Sequence, residues 1–285
     1  MATLRAVKKR IKSASNIRQI TKAMKMVSAA KLRKAQEKIL AARPYAIKIE
    51  EVISDLISRA DKQKYKILAE NTGVTKEAIV LVSADKGLCG SFNMNLVKEA
   101  VKHFQANKDI NFFMIGKKGL DLMKRFGRET DMFKLNDNRI GWEEVEEICG
   151  VLIKNYLEKK YSKVWVIYSE FKTSLQQKII KKQILPVMFD PVKGETAPLD
   201  REFLYEPGEA EVLADLLKRY MKTQVYRGIL ESQASEQGVR MVAMEMATNN
   251  AADMIESLTL LANKTRQAQI TKEILEIVSG AEALK

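Results

Sequence analysis

Residues 208–285 read GEAEVLADLLKRYMKTQVYRGILESQASEQGVRMVAMEMATNNAADMIESLTLLANKTRQAQITKEILEIVSGAEALK. No proline interrupts this segment, and its apolar side chains recur at steps of three and four, which places them on one stripe of an α-helix. The stripe comprises Leu213, Leu217, Tyr220, Val239, Val242, Met246, Met254, Leu258 and Leu261. A helix of this length would extend about 110 Å at 1.5 Å per residue. Because no small core covers such a stripe, a second helix has to pack along it.

The N-terminal segment, residues 1–60, is the candidate partner helix. Its apolar spacing is heptad-like with one extra step of three, as in a stammer. The predicted seam consists of Leu4, Val7, Ile11, Ala14, Ile17, Ile20, Met24 and Val27, facing Val242, Met246, Leu258 and Leu261 of the C-terminal helix. Apolar spacing resumes after Pro44, so we expect a kink there. The two chain ends therefore predict a long antiparallel coiled coil.

Between these helices the pattern changes to that of an α/β domain. After a polar connector at residues 61–76, AIVLVSA at residues 78–84 predicts a strand buried on both faces. Amphipathic helices then alternate with apolar runs, of which the last two, residues 164–171 and 179–187, predict neighbouring antiparallel strands. We therefore predict a Rossmann-like α/β domain over residues 77–200, inserted between an N-terminal helix over residues 1–60 and a C-terminal helix over residues 208–285.

Charge is concentrated at the N-terminus. Residues 1–43 hold thirteen Lys and Arg against the single acid Glu37, whereas residues 208–285 hold nine against eleven acids, so the net charges are +12 and −2. A basic helix of this kind suits either nucleic-acid phosphates or a protein partner with an acidic surface. Composition alone leaves a nucleic-acid-binding coiled-coil protein and a protein-binding shaft both open.

The distribution of aromatic residues distinguishes the chain ends from the middle. All nineteen aromatics lie between residues 45 and 226, while both ends are rich in Ala, Ser, Met, Gln and Thr. A coiled coil that only had to be stable would tolerate larger anchors. Small and flexible side chains favour a slim shaft that fits inside other proteins without being gripped.

Evidence for catalysis is sparse. The turn at residues 85–91 lies between a strand and a helix, where phosphate could bind, but both glycine-rich nucleotide fingerprints are missing. A tight turn with local hydrogen bonds from Asp85 and Asn93 is the simpler interpretation. The single histidine, His103, is predicted on a solvated helix surface, and we expect no catalytic set, no metal site and no cofactor. A small nucleotide-binding enzyme therefore has less support than a binding protein.

Localisation follows from what the sequence contains. Cys89 and Cys149 lack metal-ligand spacing, which favours a reducing compartment. Apolar runs fall short of the roughly 20 residues of a membrane span, and no signal-type block follows the basic N-terminus. We expect a soluble, cytosol-facing protein.

Five motifs resemble the γ-subunit family of F-type ATP synthases over the full chain and in the same order. They are IRQITKAMKMVSAAKLRKAQ (residues 17–36), DKGLCGSFN (85–93), YEPG (205–208), SEQGVRMVAMEMATNNAADMI (235–255) and NKTRQAQITKEILEIVSGAEAL (263–284). The start at Met1 and the lack of an inserted dithiol segment are similar to the bacterial form. The resemblance implies a non-catalytic rotor shaft whose partners are the α, β and ε subunits and the membrane c-ring, peripheral on the cytoplasmic face of a bacterial cell membrane.

The resemblance also implies which residues make those contacts. Torque contacts with the α and β subunits would involve Lys22, Met24, Lys25, Arg240, Arg266, Gln267, Thr271 and Glu273. Tyr205 and Glu206 would lie near the c-ring and ε. None of these roles requires bond chemistry, which agrees with the lack of a catalytic set.

Overall fold

The computed structural model describes residues 3–59, 65–106, 109–126, 130–133, 141–174, 176–188, 206 and 208–282. The predicted domain borders near residues 60–64 and 200 lie outside these ranges. The helices are α1 (Leu4–Arg59), α2 (Phe92–Ala106), α3 (Lys117–Arg125), α4 (Trp142–Leu157) and α5 (Glu209–Glu282). The strands are β1 (Glu77–Val82), β2 (Ile110–Ile115), β3 (Thr130–Met132), β4 (Lys163–Phe171) and β5 (Gln177–Leu185).

The chain divides into two compact units. The central unit comprises Ala30–Val239, and the terminal unit comprises Met1–Ala29 together with Arg240–Lys285. Both long helices contribute residues to each unit. Helix α1 continues on both sides of Pro44, so the proline does not end it. Long N- and C-terminal helices that flank a mixed sheet are therefore the architecture of this chain.

A five-stranded sheet forms the middle of the central unit, with strand order β3-β2-β1-β4-β5. The pairs β3/β2, β2/β1 and β1/β4 are parallel, and β4/β5 is antiparallel, as the sequence predicted. Strand β3 was not predicted, because its three residues Thr130, Asp131 and Met132 are too few to show a periodic pattern.

Side chains of β1 alternate between two apolar cores. Ala78, Val80 and Val82 face α4 and parts of the two long helices, whereas Ile79 and Leu81 face α2 and α3. Helices therefore cover both faces of the sheet, which explains why β1 is a continuous apolar run instead of an alternating one.

Helix α4 packs on the first of these cores through one face. Val145, Ile148, Leu152 and Tyr156 are buried at the expected spacing. Trp142, the first residue of the helix, is 40% exposed. Its ring meets Tyr226 edge-on with centroids 5.9 Å apart, so it packs sideways against α5.

Burial along α4 predicts how two leucines differ in their contribution to stability. Leu152→Ala removes a fully buried side chain and should lower the free energy of unfolding of the central unit by about 3 kcal/mol. Leu157→Ala, the same change at an exposed position of the same helix, should cost less than about 0.5 kcal/mol. Urea unfolding followed by circular dichroism measures both, and equal losses would contradict this assignment of the core.

Candidate functional surfaces

The first part of α1 buries a stripe of mostly small side chains in the terminal unit. Val7, Ala14, Thr21 and Ser28 are buried, and they are spaced by seven residues without interruption. Three of the four are Ala, Thr or Ser. A strict seven-residue repeat is the period of a helix that keeps one face towards a partner helix.

Helix α5 carries a matching stripe in the same unit. Six of its buried or partly buried positions step by four and three residues, which is again a heptad spacing. They are Met244, Thr248, Ala251, Ile255, Leu258 and Ala262. Three of the six are Ala or Thr, so this side of the contact also includes small side chains.

Two contacts join the two helices directly, one within the stripes and one beside them. The Oγ1 atoms of Thr21 and Thr248 lie 2.8 Å apart. Lys25 Nζ donates a hydrogen bond to Glu245 Oε1 at 2.6 Å, in an ion pair that is partly exposed. The residue number rises from 21 to 25 on α1 while it falls from 248 to 245 on α5. The two ends of the chain therefore meet in the terminal unit.

Several large apolar side chains of the terminal unit face solvent. On α1, Ile17, Ile20 and Val27 are each more than half exposed, and on α5 Met246 is 61% exposed with Leu261 also exposed. These five residues belonged to the predicted seam, and the buried stripe does not include them. Of the other predicted seam residues, Val7 and Ala14 are buried, and Leu4, Ile11, Met24, Val242 and Leu258 are partly buried. The prediction followed hydrophobicity, whereas the helices meet along the smaller side chains.

The last part of α5 is exposed on every side. From Arg266 to Glu282 each described residue is exposed, although the segment contains a helically spaced set of branched side chains. They are Ile270, Ile274, Leu275, Ile277 and Val278. Exposed apolar patches of this kind mark an interaction site.

The predicted torque contacts of the α1 end and of Arg240 occupy different environments. Lys22 is exposed, Met24 and Lys25 are partly buried, and Lys25 pairs with Glu245. Arg240 is only 7% exposed, so the chain itself covers most of its side chain. That burial could not be predicted, since an arginine between apolar residues fits an exposed and a covered position equally well.

The other predicted contacts lie mainly on the exposed end of α5. Arg266, Gln267, Thr271 and Glu273 are all exposed. Glu273 Oε1 accepts a hydrogen bond from Gln269 Nε2 at 3.2 Å within the helix. Glu206 is exposed, whereas Tyr205 lies outside the described residues.

Helix α5 fills the crevice in which a nucleotide would bind. In doubly wound sheets ligands bind beyond the carboxyl ends of the strands at the topological switch point, which here lies between β1 and β4. Ser232 Oγ donates to the carbonyl oxygen of Val82 at 3.2 Å, and Ser235 Oγ donates to that of Ser169 at 3.0 Å. Side chains of α5 therefore occupy the crevice, which disfavours a nucleotide-binding enzyme.

The turn at residues 85–91 also serves internal contacts. Asn93 Oδ1 accepts the backbone N–H of Ala84 at 2.9 Å, which is the local bond that we predicted. Asp85 Oδ1 accepts the N–H of Lys117 at 3.0 Å, so it holds the start of α3 instead of its own turn. Leu88 and Gly90 adopt positive φ angles of 61° and 54° within this turn.

The prediction that His103 is solvated was wrong. Its side chain is 15% exposed, and Nε2 lies 2.9 Å from Glu77 Oε2 while Nδ1 lies 3.0 Å from Lys181 Nζ. Trp165 Nε1 donates to the same Glu77 oxygen at 2.8 Å. The imidazole is thus part of a polar cluster that links α2, β1, β4 and β5, which helical periodicity alone could not reveal.

The other reactive groups that the structure describes form no catalytic set. Neither cysteine forms a disulfide, and both are buried. Burial raises the pKa of Cys149 to about 12, against a smaller lowering by Lys222, so its thiol stays protonated at neutral pH. Among the described residues no group of His, Cys, Asp and Glu is arranged to hold a metal ion. The described helices also include no apolar stretch of the length and hydropathy that would cross a bilayer.

Comparison with known protein families matches almost the whole chain. A family model described as ATP synthase aligns with residues 3–284. Proteins named ATP synthase gamma chain from Geotalea daltonii, Geobacter sp. strain M21 and Heliobacterium modesticaldum are 40%, 41% and 40% identical, and each alignment covers all of both chains.

Comparison with solved structures gives the same architecture. A chain of the Euglena gracilis mitochondrial ATP synthase (OSCP/F1/c-ring, rotational state 3) superposes with a TM-score of 0.68 at 18% identity, covering 99% of this chain and 94% of that one. A chain of the Tetrahymena thermophila mitochondrial ATP synthase (central stalk/c-ring) gives 0.61 at 24% identity, covering 80% and 99%. These likenesses support the fold, and the full-length sequence matches show that the chain belongs to the ATP synthase gamma-chain family.

Proposed function

We propose that this chain is the central rotor shaft of an F-type ATP synthase, which couples ion flow through the membrane c-ring to ATP synthesis and hydrolysis. The observation that carries the proposal is the arrangement of side chains in the terminal unit. Small residues are buried between the two chain ends, while large apolar residues face outwards. A chain built to be stable alone would bury the large ones, so this surface suits an element enclosed by other subunits.

The two chain ends form an antiparallel coiled coil in this proposal. The heptad spacing on both helices supports it, as do the opposite directions of the Thr21/Thr248 and Lys25/Glu245 contacts. Small seam residues allow the helix axes to approach closely. Bulky groups are then available on the outside of a thin shaft. The coiled-coil segments are residues 1–60 and 208–285, with residues 61–76 as connector and 77–200 as the inserted α/β domain.

Contacts with the α and β subunits fall on the outward surface of the shaft. Lys22, Met24 and Lys25 are the proposed contacts on α1. On α5 the proposed contacts are Arg240, Arg266, Gln267, Thr271 and Glu273. The excess of cations over residues 1–43 would steer this surface towards acidic partner surfaces. Arg240, being largely covered, contributes more through the shape of the shaft than through direct contact.

A second set of proposed contacts involves ε and the c-ring. Tyr205 and Glu206 of the YEPG motif are their proposed site. The chain would thereby sit on the cytoplasmic face of a bacterial cell membrane as a peripheral subunit. The catalytic sites lie on the β subunits, so the chain itself needs no catalytic residue.

The mechanism follows from asymmetry. A shaft with different side chains around its circumference presents a different surface to each of three chemically equal β subunits, and so favours a different conformation in each. Turning the shaft changes these preferences in sequence. Because the coupling free energy between shaft position and nucleotide binding is reciprocal, ATP hydrolysis can turn the shaft and a driven shaft can favour ATP release.

Reconstitution tests the proposed function directly. The chain, expressed with its own α, β and ε subunits, should co-purify with them and rotate during ATP hydrolysis when a bead is attached to the central unit. A chain that stays stationary during turnover, or that binds duplex DNA tightly and salt-sensitively without joining α and β, would overturn the proposal.

The seam of the coiled coil can be tested at Leu258, which is partly buried on the α5 stripe. Leu258→Asp places an unpaired carboxylate between the helices and should destabilise the terminal unit by several kcal/mol, on the order of 3. The matched control is Asn263→Asp, which adds one carboxylate at an exposed polar position five residues away on the same helix and should have little effect. Thermal unfolding of the assembled complex measures the difference, and equal midpoints for the two variants would refute the seam.

The torque surface can be tested at Met24, which is partly buried on α1 close to Lys22 and Lys25. Met24→Lys replaces a partly buried apolar side chain by a cation between the cations of Lys22 and Lys25, and a charge that is removed from water without a partner is costly. Proton pumping per ATP hydrolysed should fall while assembly is retained.

The matched control for this variant is Met188→Lys, because Met188 is 66% exposed in the central unit. The ratio of pumping to hydrolysis, measured in inverted membrane vesicles, should be unchanged by it. An unchanged ratio in Met24→Lys as well would remove Met24 from the coupling surface.

A further inference from the structure

Strand β4 extends beyond its parallel neighbour. The β1/β4 pairing ends at Leu81 and Ile167, whereas β4 continues to Phe171 and its pairing with β5 continues to Phe171 and Gln177. Residues 168–171 therefore have a strand on one side only among the described residues. Backbone groups on the other side need partners from elsewhere, since an unpaired buried N–H or C=O costs about as much as a lost hydrogen bond.

Helix α5 supplies those partners. The carboxylate of Glu231 accepts the N–H of Phe171 at 3.1 Å, and Ser235 Oγ donates to the carbonyl oxygen of Ser169 at 3.0 Å. Ser232 Oγ donates to the carbonyl oxygen of Val82, at the end of β1, at 3.2 Å. We refer to Glu231, Ser232 and Ser235 as the α5 latch. Its side chains take the place of the ladder that β1 would have continued.

The latch lies in a tight, buried contact. Its three residues are all less than 5% exposed. A Cβ atom at Gly228 would come within 3.1 Å of the Tyr168 ring, and one at Gly238 within 3.2 Å of the Phe171 ring. The two glycines thus let α5 approach the extended part of β4 on either side of the latch.

Hydrogen bonds constrain this contact in a way that apolar packing does not. Apolar burial is non-directional and tolerates sliding, whereas a hydrogen bond weakens steeply when its angle is lost. Residues 231, 232 and 235 lie on one face of the helix, and their bonds reach three separate points on two strands. A rotation of α5 about its own axis would break all three.

Two peripheral contacts support the same orientation. Lys182 Nζ on β5 donates to Gln224 Oε1 on α5 at 2.7 Å. Lys222 on α5 pairs with Glu146 on α4. The helix is therefore tied to the sheet and to a second helix on different sides of its circumference.

We propose that Glu231, Ser232 and Ser235 are positioning residues that lock α5 to the sheet, so that the α/β domain and the shaft turn as one body. The proposal rests on the rotor function. In a rotor, torque applied through the α/β domain reaches the shaft only as far as the contact between them resists twisting. A loosened latch would let the shaft turn inside the β subunits while the rest of the rotor lags behind.

The test uses the complete ATP synthase in inverted membrane vesicles, with Glu231→Ala and Ser235→Ala in the chain. For each variant we would measure the exchange rate of the Phe171 amide hydrogen and the ratio of protons pumped to ATP hydrolysed. Glu231→Ala removes the acceptor of the Phe171 N–H and should raise its exchange rate about fivefold, whereas Ser235→Ala, which removes the neighbouring bond to Ser169, should raise it less. The pumping ratio should fall while ATP hydrolysis is retained.

Two control variants separate the lock from general stability. Glu231→Gln keeps an oxygen that accepts the Phe171 N–H and should restore both the slow exchange and the coupling. Glu147→Ala removes a carboxylate from the exposed face of α4 and should change neither.

Two results would contradict the proposed role of the α5 latch. Faster exchange of the Phe171 amide with an unchanged ratio of protons pumped to ATP hydrolysed would overturn the proposal. It would also be overturned if both alanine variants lost assembled chain and ATP hydrolysis fell in parallel with pumping. If only Glu231→Ala fails to assemble, Ser235→Ala, which removes one hydroxyl, carries the same two measurements. Failure of the rotor function itself would appear separately, as absence of ATP-driven pumping with the unmodified chain.

Discussion

The contact between the two chain ends is the constraint on which the structure depends. Thr21 and Thr248 are 227 residues apart in sequence, and their side-chain oxygens lie 2.8 Å apart in the terminal unit. Everything between them has to fold so that α1 and α5 can meet. Bringing such distant segments together costs loop entropy, which the compact α/β core helps to offset by ordering most of the intervening chain.

Sequence patterns could predict the elements better than the contacts. The strand β1, the antiparallel β4/β5 pair and the long C-terminal helix all follow from local patterns of apolar residues, and the structure has each of them. The seam was placed on the largest apolar side chains, Ile17, Ile20 and Val27, and these are exposed. A uniform repeat of Val7, Ala14, Thr21 and Ser28 was present in the sequence, but small and hydroxyl side chains carry almost no hydrophobic signal.

Long-range polar contacts were beyond prediction for a different reason. His103 lies at a helical position that looks solvated, and only the tertiary fold brings Glu77 and Lys181 to its two ring nitrogens. The buried carboxylate of Glu231 is similar, because its role depends on β4 being four residues longer than its pairing with β1. Partners of this kind are set by the lengths of strands and the register between them, which local propensity does not encode.

The outward-facing isoleucines, leucines and methionines of the terminal unit affect the stability of the chain in the cell before it assembles with its partner subunits. A freshly synthesised copy without its neighbours displays a surface that chaperones and proteases recognise and that favours clumping with other copies. Its abundance in the cell is therefore expected to follow that of the subunits that surround it, with surplus orphan molecules degraded. The same exposed apolar side chains therefore bind the partner subunits and make the unassembled chain prone to aggregation and degradation.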